Sequence, residues 1–137
     1  MDFLLYNVVL NSILVGIILM TQFITYPLFQ LINSNFKRYH KAYTKRMGYM
    51  VAPLMILELL VVIKITTQYY SNTIIILISV LTLIIWFSTF FIQVPVHNSI
   101  SKSKHEGEIF FLIKSNYIRT LLWLLKLILS ILILDIY

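Results

Sequence analysis

Four long apolar runs dominate the sequence and limit what the chain can fold into. They cover about residues 3–32, 49–65, 73–94 and 117–137. A helix needs about 20 residues to cross the ~30 Å hydrocarbon core of a bilayer, and all but the second run reach that length. Only 12% of the 137 residues are charged and 60% are hydrophobic, so the chain has too few charges for a typical water-facing surface. The sequence therefore predicts an all-α integral membrane four-helix bundle in a single domain.

The helix ends are less clearly marked than the runs. Residues 35–47 precede the short second run and have helical character, so a helix that begins near Phe36 would extend into the cytoplasm. Pro95 is expected to end the third helix because proline breaks helix hydrogen bonding. The polar segment at 96–108 is expected to be a mobile loop, and the sequence shows no evident internal repeat.

The basic residues predict how the bundle is oriented. Of eleven Lys and Arg residues, five lie between Lys37 and Arg46 and three between Lys102 and Lys114, next to apolar runs. The positive-inside rule places both segments in the cytoplasm and both termini outside. This pattern favours an integral protein of a bacterial inner membrane and explains the net charge of +6 without nucleic acid as a partner. The absence of cysteine excludes disulfides and Cys-ligated metals.

Polar residues inside the apolar runs are the candidates for function, because each needs a partner or water within the membrane. In every run they recur at helical spacing and form one stripe. Counting residues just outside each run, the stripes comprise Asn11, Gln22 and Thr25 in the first helix, His40, Tyr43 and Glu58 in the second if that helix is continuous, Ser79, Thr82, Trp86, Thr89, Gln93 and His97 in the third, and Asn116, Arg119, Trp123 and Lys126 in the fourth. Such residues often serve only to join helices.

Most of these polar residues lie near the predicted cytoplasmic ends of the helices, where they can meet in one pocket. His40 or His97 would act as a general base there, because histidine titrates near neutral pH. Arg119 and Gln93 would stabilise an oxyanion in a site of low dielectric constant. The predicted catalytic residues are His40, His97 and Arg119, and the predicted substrate-binding residues are Gln22, Tyr26, Tyr43, Trp86, Gln93, Asn98, Asn116 and Trp123.

Glu58 and Lys126 are placed deeper in the membrane than the predicted pocket. An unpaired charge at that depth is costly, so an ion pair within the bundle is predicted between Glu58 and Lys126 or Arg119. A di-iron site needs several core acids, and Glu58 alone is suitably placed. We therefore predict no metal and no cofactor, with a haem bound by His40 and His97 as the alternative left open.

Two short motifs carry a resemblance to a known family. Residues 95–98 read Pro-Val-His-Asn and residues 116–120 read Asn-Tyr-Ile-Arg-Thr, while Pro27 and Pro53 lie late in the first helix and early in the second. This pattern resembles the anthrone oxygenase-like family of small four-helix membrane proteins over nearly the whole chain. The resemblance implies cofactor-independent oxygenation of flat polycyclic phenols.

Two functions follow as hypotheses. The first is a membrane-embedded oxidoreductase or oxygenase that takes a hydrophobic small molecule into the polar pocket. The second is a non-enzymatic membrane protein, such as a transporter subunit or a lipid-binding partner, whose polar stripes only hold the helices together. Membrane lipids are expected partners in both cases, and a homo-oligomer is left open.

Overall fold

The computed structural model describes residues 2–137, and all regular secondary structure in this range is helical. Four long helices follow one another: α1 (Phe3–Leu31), α2 (Phe36–Gln68), α3 (Thr73–Lys102) and α4 (Glu106–Ile136). Each is long and apolar enough to cross a membrane. The predicted all-α four-helix bundle is confirmed, and it fits a polytopic membrane protein.

Short turns make consecutive helices antiparallel neighbours. α1 and α3 each pack against both α2 and α4. One end of the bundle, here called the basic end, contains the turns at 32–35 and 103–105. The opposite end, here called the terminal end, contains the turn at 69–72 and both chain termini. The Asn72 side chain accepts hydrogen bonds from the first backbone N–H groups of α3 and so fixes where this helix begins. The cytoplasmic orientation of the basic end stays a prediction.

Three helix boundaries bear on the sequence-based predictions. α2 begins at Phe36, as expected for a helix extended beyond its apolar run. The prediction that α3 ends at Pro95 is wrong, because the helix continues to Lys102. α4 begins at Glu106 rather than near residue 117. Most of the segment predicted to be a loop at 96–108 is therefore helix.

A π-helical turn explains how α3 passes through its proline. Proline lacks an N–H group, and its ring clashes with the carbonyl four residues earlier. Residues Thr89–Gln93 form a wider π turn just before Pro95, which accommodates the ring while the chain stays helical. Thr89 donates a hydrogen bond from Oγ1 to the carbonyl of Ile85 at 2.8 Å, at the start of this turn.

α1 contains the same arrangement at the matching place. Residues Thr21–Thr25 form a π turn before Pro27, and Thr21 Oγ1 donates to the carbonyl of Ile17 at 2.8 Å. Both segments, 21–27 and 89–95, follow the pattern Thr-x-Phe-Ile-x-x-Pro. The expectation of no internal repeat is therefore corrected. The repeat escapes notice in the sequence because it is short and embedded in similar apolar residues.

The interior contains three apolar clusters at successive levels. The terminal cluster closes the terminal end, the middle cluster lies at the centre and the third lies at the basic end. The terminal cluster comprises Leu4, Val62, Ile65, Ile75, Ile78 and Ile133; the middle cluster Leu14, Val15, Ile18, Met55, Ile85 and Trp123; and the basic-end cluster Tyr26, Phe29, Phe36, Ile100, Ile109 and Leu112. Polar side chains lie between these levels and form the candidate site.

Candidate functional site

A cavity of about 470 Å³ lies between the middle cluster and the basic end. Its volume falls within the range of about 300–1,000 Å³ that is usual for small-molecule sites. Nine of the eleven residues predicted to be catalytic or substrate-binding line it: Tyr26, Tyr43, Trp86, Gln93, His97, Asn98, Asn116, Arg119 and Trp123. Gln22 and His40 do not line the cavity, but each bonds to a residue that does.

Four side chains form a continuous hydrogen-bonded chain from the basic end to the cavity. Ser101 Oγ lies 2.7 Å from His40 Nδ1, and His40 Nε2 lies 3.0 Å from His97 Nδ1. His97 Nε2 lies 2.9 Å from the hydroxyl oxygen of Tyr26. We call this the histidine chain. An imidazole can hold its proton on either ring nitrogen, so a proton can move along the chain by successive exchanges.

Aromatic rings hold the histidine chain in place. The ring of Phe29 lies 5.1 Å from that of His40, measured between centroids, and meets it edge to face. Phe36 stacks on His40 at 5.5 Å, and the two histidine rings stack at 5.1 Å. His40 has no exposed surface. The packing therefore fixes the ring orientations and keeps bulk water from His40.

Arg119 brings a positive charge to the cavity. Its Nη1 donates to Asn116 Oδ1 at 3.2 Å, and Asn116 Nδ2 donates to Gln22 Oε1 at 2.9 Å. Only 9% of Arg119 is exposed, and no carboxylate of residues 2–137 lies within ion-pair distance of it. Arginine keeps its proton in proteins, and an unpaired charge is costly in a membrane. The cavity therefore favours an anion, or a group that becomes one.

Three buried polar atoms that belong to cavity-lining residues have no hydrogen-bond partner. They are Arg119 Nε, Trp86 Nε1 and Gln93 Oε1. Buried polar atoms are rarely left unpaired in folded proteins. Gln93 Nε2 donates to Ser115 Oγ at 3.0 Å, and Ser115 donates onward to the carbonyl of Leu112. The amide nitrogen of Gln93 is thus engaged within the protein, and the expectation that Gln93 stabilises an oxyanion stays a prediction.

A buried ion pair lies next to the cavity but does not line it. Glu58 and Lys126 are in contact, and neither has any exposed surface. The ammonium of Lys126 lies 4.8 Å from the centre of the Trp123 ring, within cation–π distance. Trp123 itself lines the cavity. The tryptophan therefore lies between the ion pair and the cavity.

Three polar side chains join this ion pair from the terminal side. Asn7 Nδ2 and Asn11 Nδ2 both donate to Ser130 Oγ, at 2.8 and 3.2 Å. Ser130 donates to the backbone carbonyl of Lys126 at 2.8 Å, and Asn11 also donates to Asn7. The ion pair and these three residues are called the ion-pair cluster. Its amide and hydroxyl donors have partners within the protein, whereas Asn11 Oδ1 accepts no hydrogen bond.

The histidines do not form an open ligand set. No group of three or more His, Cys, Asp or Glu side chains in the described part of the chain could hold a metal ion. All four ring nitrogens of His40 and His97 take part in the histidine chain. Haem ligation through these residues would require those bonds to break. His105 is exposed at the start of α4.

Sequence reasoning missed two residues: Ser101, which belongs to the histidine chain, and Phe29, which packs against it. Ser101, assigned to a loop, follows His97 by four residues on the same face of α3. Phe29 follows Tyr26 by three residues on α1 and packs on both His40 and Tyr43. Helical spacing from His97 would have identified Ser101, had the third helix been extended past Pro95. Phe29 already lay within the first run and was missed because only polar residues were considered.

Comparison of the chain with protein-family models, curated proteins and solved structures gave no match. The inference of function therefore rests on the cavity and its side chains.

Proposed function

We propose that the protein is a membrane-embedded oxidoreductase that removes a proton from a hydrophobic small molecule bound in the cavity. One observation carries this proposal: the histidine chain ends at the cavity that also holds the unpaired charge of Arg119. A base and a site for the resulting anion are thus present together. These are the two requirements for forming an enolate or phenolate.

His97 is the base in this scheme, acting directly or through the Tyr26 hydroxyl to which it is bonded. General bases of this kind typically contribute about 10²–10⁴-fold to a rate. His40 holds the ring of His97 in position and passes the proton toward Ser101 at the basic end. Proton removal therefore does not require water to enter the cavity.

Arg119 stabilises the negative charge that develops on the ligand oxygen. Its effect is enhanced because the cavity is mostly lined by apolar groups, where electrostatic interactions are stronger than in water.

The resemblance to anthrone oxygenase-like proteins suggests polycyclic phenols as substrates and dioxygen as the oxidant. An electron-rich carbanion formed by proton removal can react with dioxygen. In the net reaction, one ring CH₂ group and one O₂ become one C=O group and one water. The proton that leaves along the histidine chain is matched by one taken up when water is formed, so atoms and electrons balance.

The test uses purified protein in mild detergent with a hydroxylated anthrone as substrate. We expect a quinone to form, which is monitored by its absorbance. One O₂ molecule should be consumed for each substrate molecule converted. His97→Phe and Tyr26→Phe should each lower the rate by about 100-fold. His105→Gln, at an exposed histidine, should leave it unchanged. A rate no faster than in buffer, or full activity in His97→Phe, would contradict the proposal.

A lipid-binding protein without catalysis is the second candidate. The mostly apolar lining of the cavity favours it, since such a surface can hold a lipid tail without any chemistry. Native mass spectrometry of the same preparation separates the two functions. A co-purified lipid together with no oxygen uptake would support the second candidate.

A further inference from the structure

The cavity opens through the side of the bundle. Several residues line the cavity and are also exposed on the outer surface, which places them at its mouth. On α2 and α3 these residues are Gly48, Ala52, Ile56, Phe90, Val94 and Asn98. We call this mouth the side opening.

The packing of α2 against α3 explains the side opening. α2 packs against Thr73–Ser88 and against Val94–Lys102, but it has no comparable contact with the π turn Thr89–Gln93 between them. The helices thus meet above and below a gap. On α2 the gap is bordered by Gly48, which has no side chain, and by Ala52, which has only a methyl group. Neither residue fills the gap.

The side opening faces the hydrocarbon of the membrane. Gly48 and Ile56 are eight residues apart, so the gap extends about 12 Å along α2. Ile56 is 50% exposed and Phe90 is 54% exposed at its rim. Large apolar side chains exposed in a membrane-spanning segment contact lipid rather than water.

Polar and apolar residues are distributed along the cavity in the same order as the head groups and tails of a lipid leaflet. Its polar residues, such as Tyr43, His97 and Arg119, lie toward the basic end, whereas Met55 and Trp86 lie toward the centre of the bundle. A molecule in the leaflet on the basic side also has its head at the surface and its tail at the centre. It can therefore move sideways into the cavity without turning over.

We propose that the ligand is a lipid-soluble amphipath with an anionic oxygen head, and that it enters from the bilayer through the side opening. This inference rests on the proposed function for the identity of the site. The head pairs with Arg119, which has no carboxylate partner within residues 2–137, and the tail lies between α2 and α3. The bilayer acts as the reservoir of the ligand.

Intrinsic fluorescence can test the entry route, because the only two tryptophans, Trp86 and Trp123, both line the cavity. Trp86→Phe leaves Trp123, which is 2% exposed, as the single reporter. In vesicles of phosphatidylcholine with brominated acyl chains, we expect Trp123 to lose most of its fluorescence. Iodide in the aqueous phase should quench it little.

A blocked opening supplies the matched comparison. Gly48→Phe with Ala52→Phe should fill the mouth and restore most of the Trp123 fluorescence. Gly16→Phe is the control: like Gly48, Gly16 is exposed with open space around its Cα, but it does not line the cavity. Quenching by iodide rather than brominated lipid, or equal lipid quenching with the mouth filled, would overturn the proposed route.

The head group is tested with brominated amphipaths in ordinary vesicles. Dibromostearic acid should quench Trp123 at about tenfold lower concentration than dibromostearic methyl ester, which carries no anion. Arg119→Met should abolish this difference. Equal quenching by acid and ester would overturn the anionic head.

These measurements need no turnover, so they fail separately from the proposed function. Normal quenching by brominated lipid without oxygen uptake would contradict the proposed enzymatic activity but not the side entry. Normal oxygen uptake with unchanged quenching in the filled-mouth variant would contradict the side entry alone.

Discussion

The bundle contains two groups of buried polar side chains, and they differ in what surrounds them. In the ion-pair cluster, Glu58 meets Lys126, and the amides of Asn7 and Asn11 meet Ser130. The histidine chain and Arg119 instead border a cavity, and the Arg119 charge has no carboxylate partner among residues 2–137. Each group nevertheless contains side chains with no exposed surface, such as His40 and Glu58.

The difference shows that burial alone does not identify a functional site in a membrane protein. Polar groups paired within the protein are needed for structure and leave nothing for a ligand. Polar groups that adjoin open space and have no counter-charge leave an interaction that a ligand can complete. The same kind of residue should therefore respond differently to substitution in the two places.

Lys126→Met should have the largest effect on stability. It leaves the carboxylate of Glu58 buried without a partner, and breaking a buried pair in this way costs about 3–5 kcal/mol. The midpoint of denaturant-induced unfolding in detergent measures the loss. Glu58→Gln combined with Lys126→Met should recover most of it, and Lys64→Met, at an exposed lysine of α2, should change little. Equal midpoints for Lys126→Met and Lys64→Met would remove the distinction between the two groups.

Arg119→Met should separate stability from binding. It removes an unpaired buried cation together with its hydrogen bond to Asn116, so the free energy of unfolding should change by less than about 1 kcal/mol. Binding of dibromostearic acid, measured by quenching of Trp123, should weaken about tenfold or more. A stability loss as large as that of Lys126→Met, with binding intact, would place Arg119 among the structural residues.

Ser130→Ala should have a moderate effect on stability alone. It removes the acceptor for Asn7 and Asn11, and interhelical hydrogen bonds in membrane proteins contribute about 0.6–2 kcal/mol. Thermal unfolding followed by circular dichroism checks this against Ser12→Ala, at an exposed serine of α1. Weaker ligand binding in Ser130→Ala would show that the ion-pair cluster is linked to the cavity.

Ser101→Ala should have the smallest effect, and only on turnover. It removes the outer member of the histidine chain, where water can replace the hydroxyl, so the oxygen-uptake rate should fall only about two- to fivefold. Stability and quenching of Trp123 should not change. Ser103→Ala, just beyond the end of α3, is the control. If Ser101→Ala left the rate unchanged, we would conclude that the proton path ends at His40 and does not include Ser101.

The fold was predictable because in lipid the length and polarity of a helix are directly visible in the sequence. The passage of α3 through Pro95 was not, since it depends on the π turn at Thr89–Gln93, which no local propensity indicates. The stripe of α3 correctly grouped Gln93 with His97 at the cavity. The direct bond between His97 and His40 was not predictable, because it depends on how closely α2 and α3 approach at the basic end.

The terminal cluster has a consequence for energy conversion. Its six aliphatic side chains close the bundle beyond the ion pair, whereas the histidine chain leads toward Ser101 at the opposite end. A proton that leaves the cavity by this chain and the proton that replaces it use the same side of the membrane. In the proposed reaction, therefore, no net charge crosses the bilayer, so turnover would neither draw on a membrane potential nor add to one.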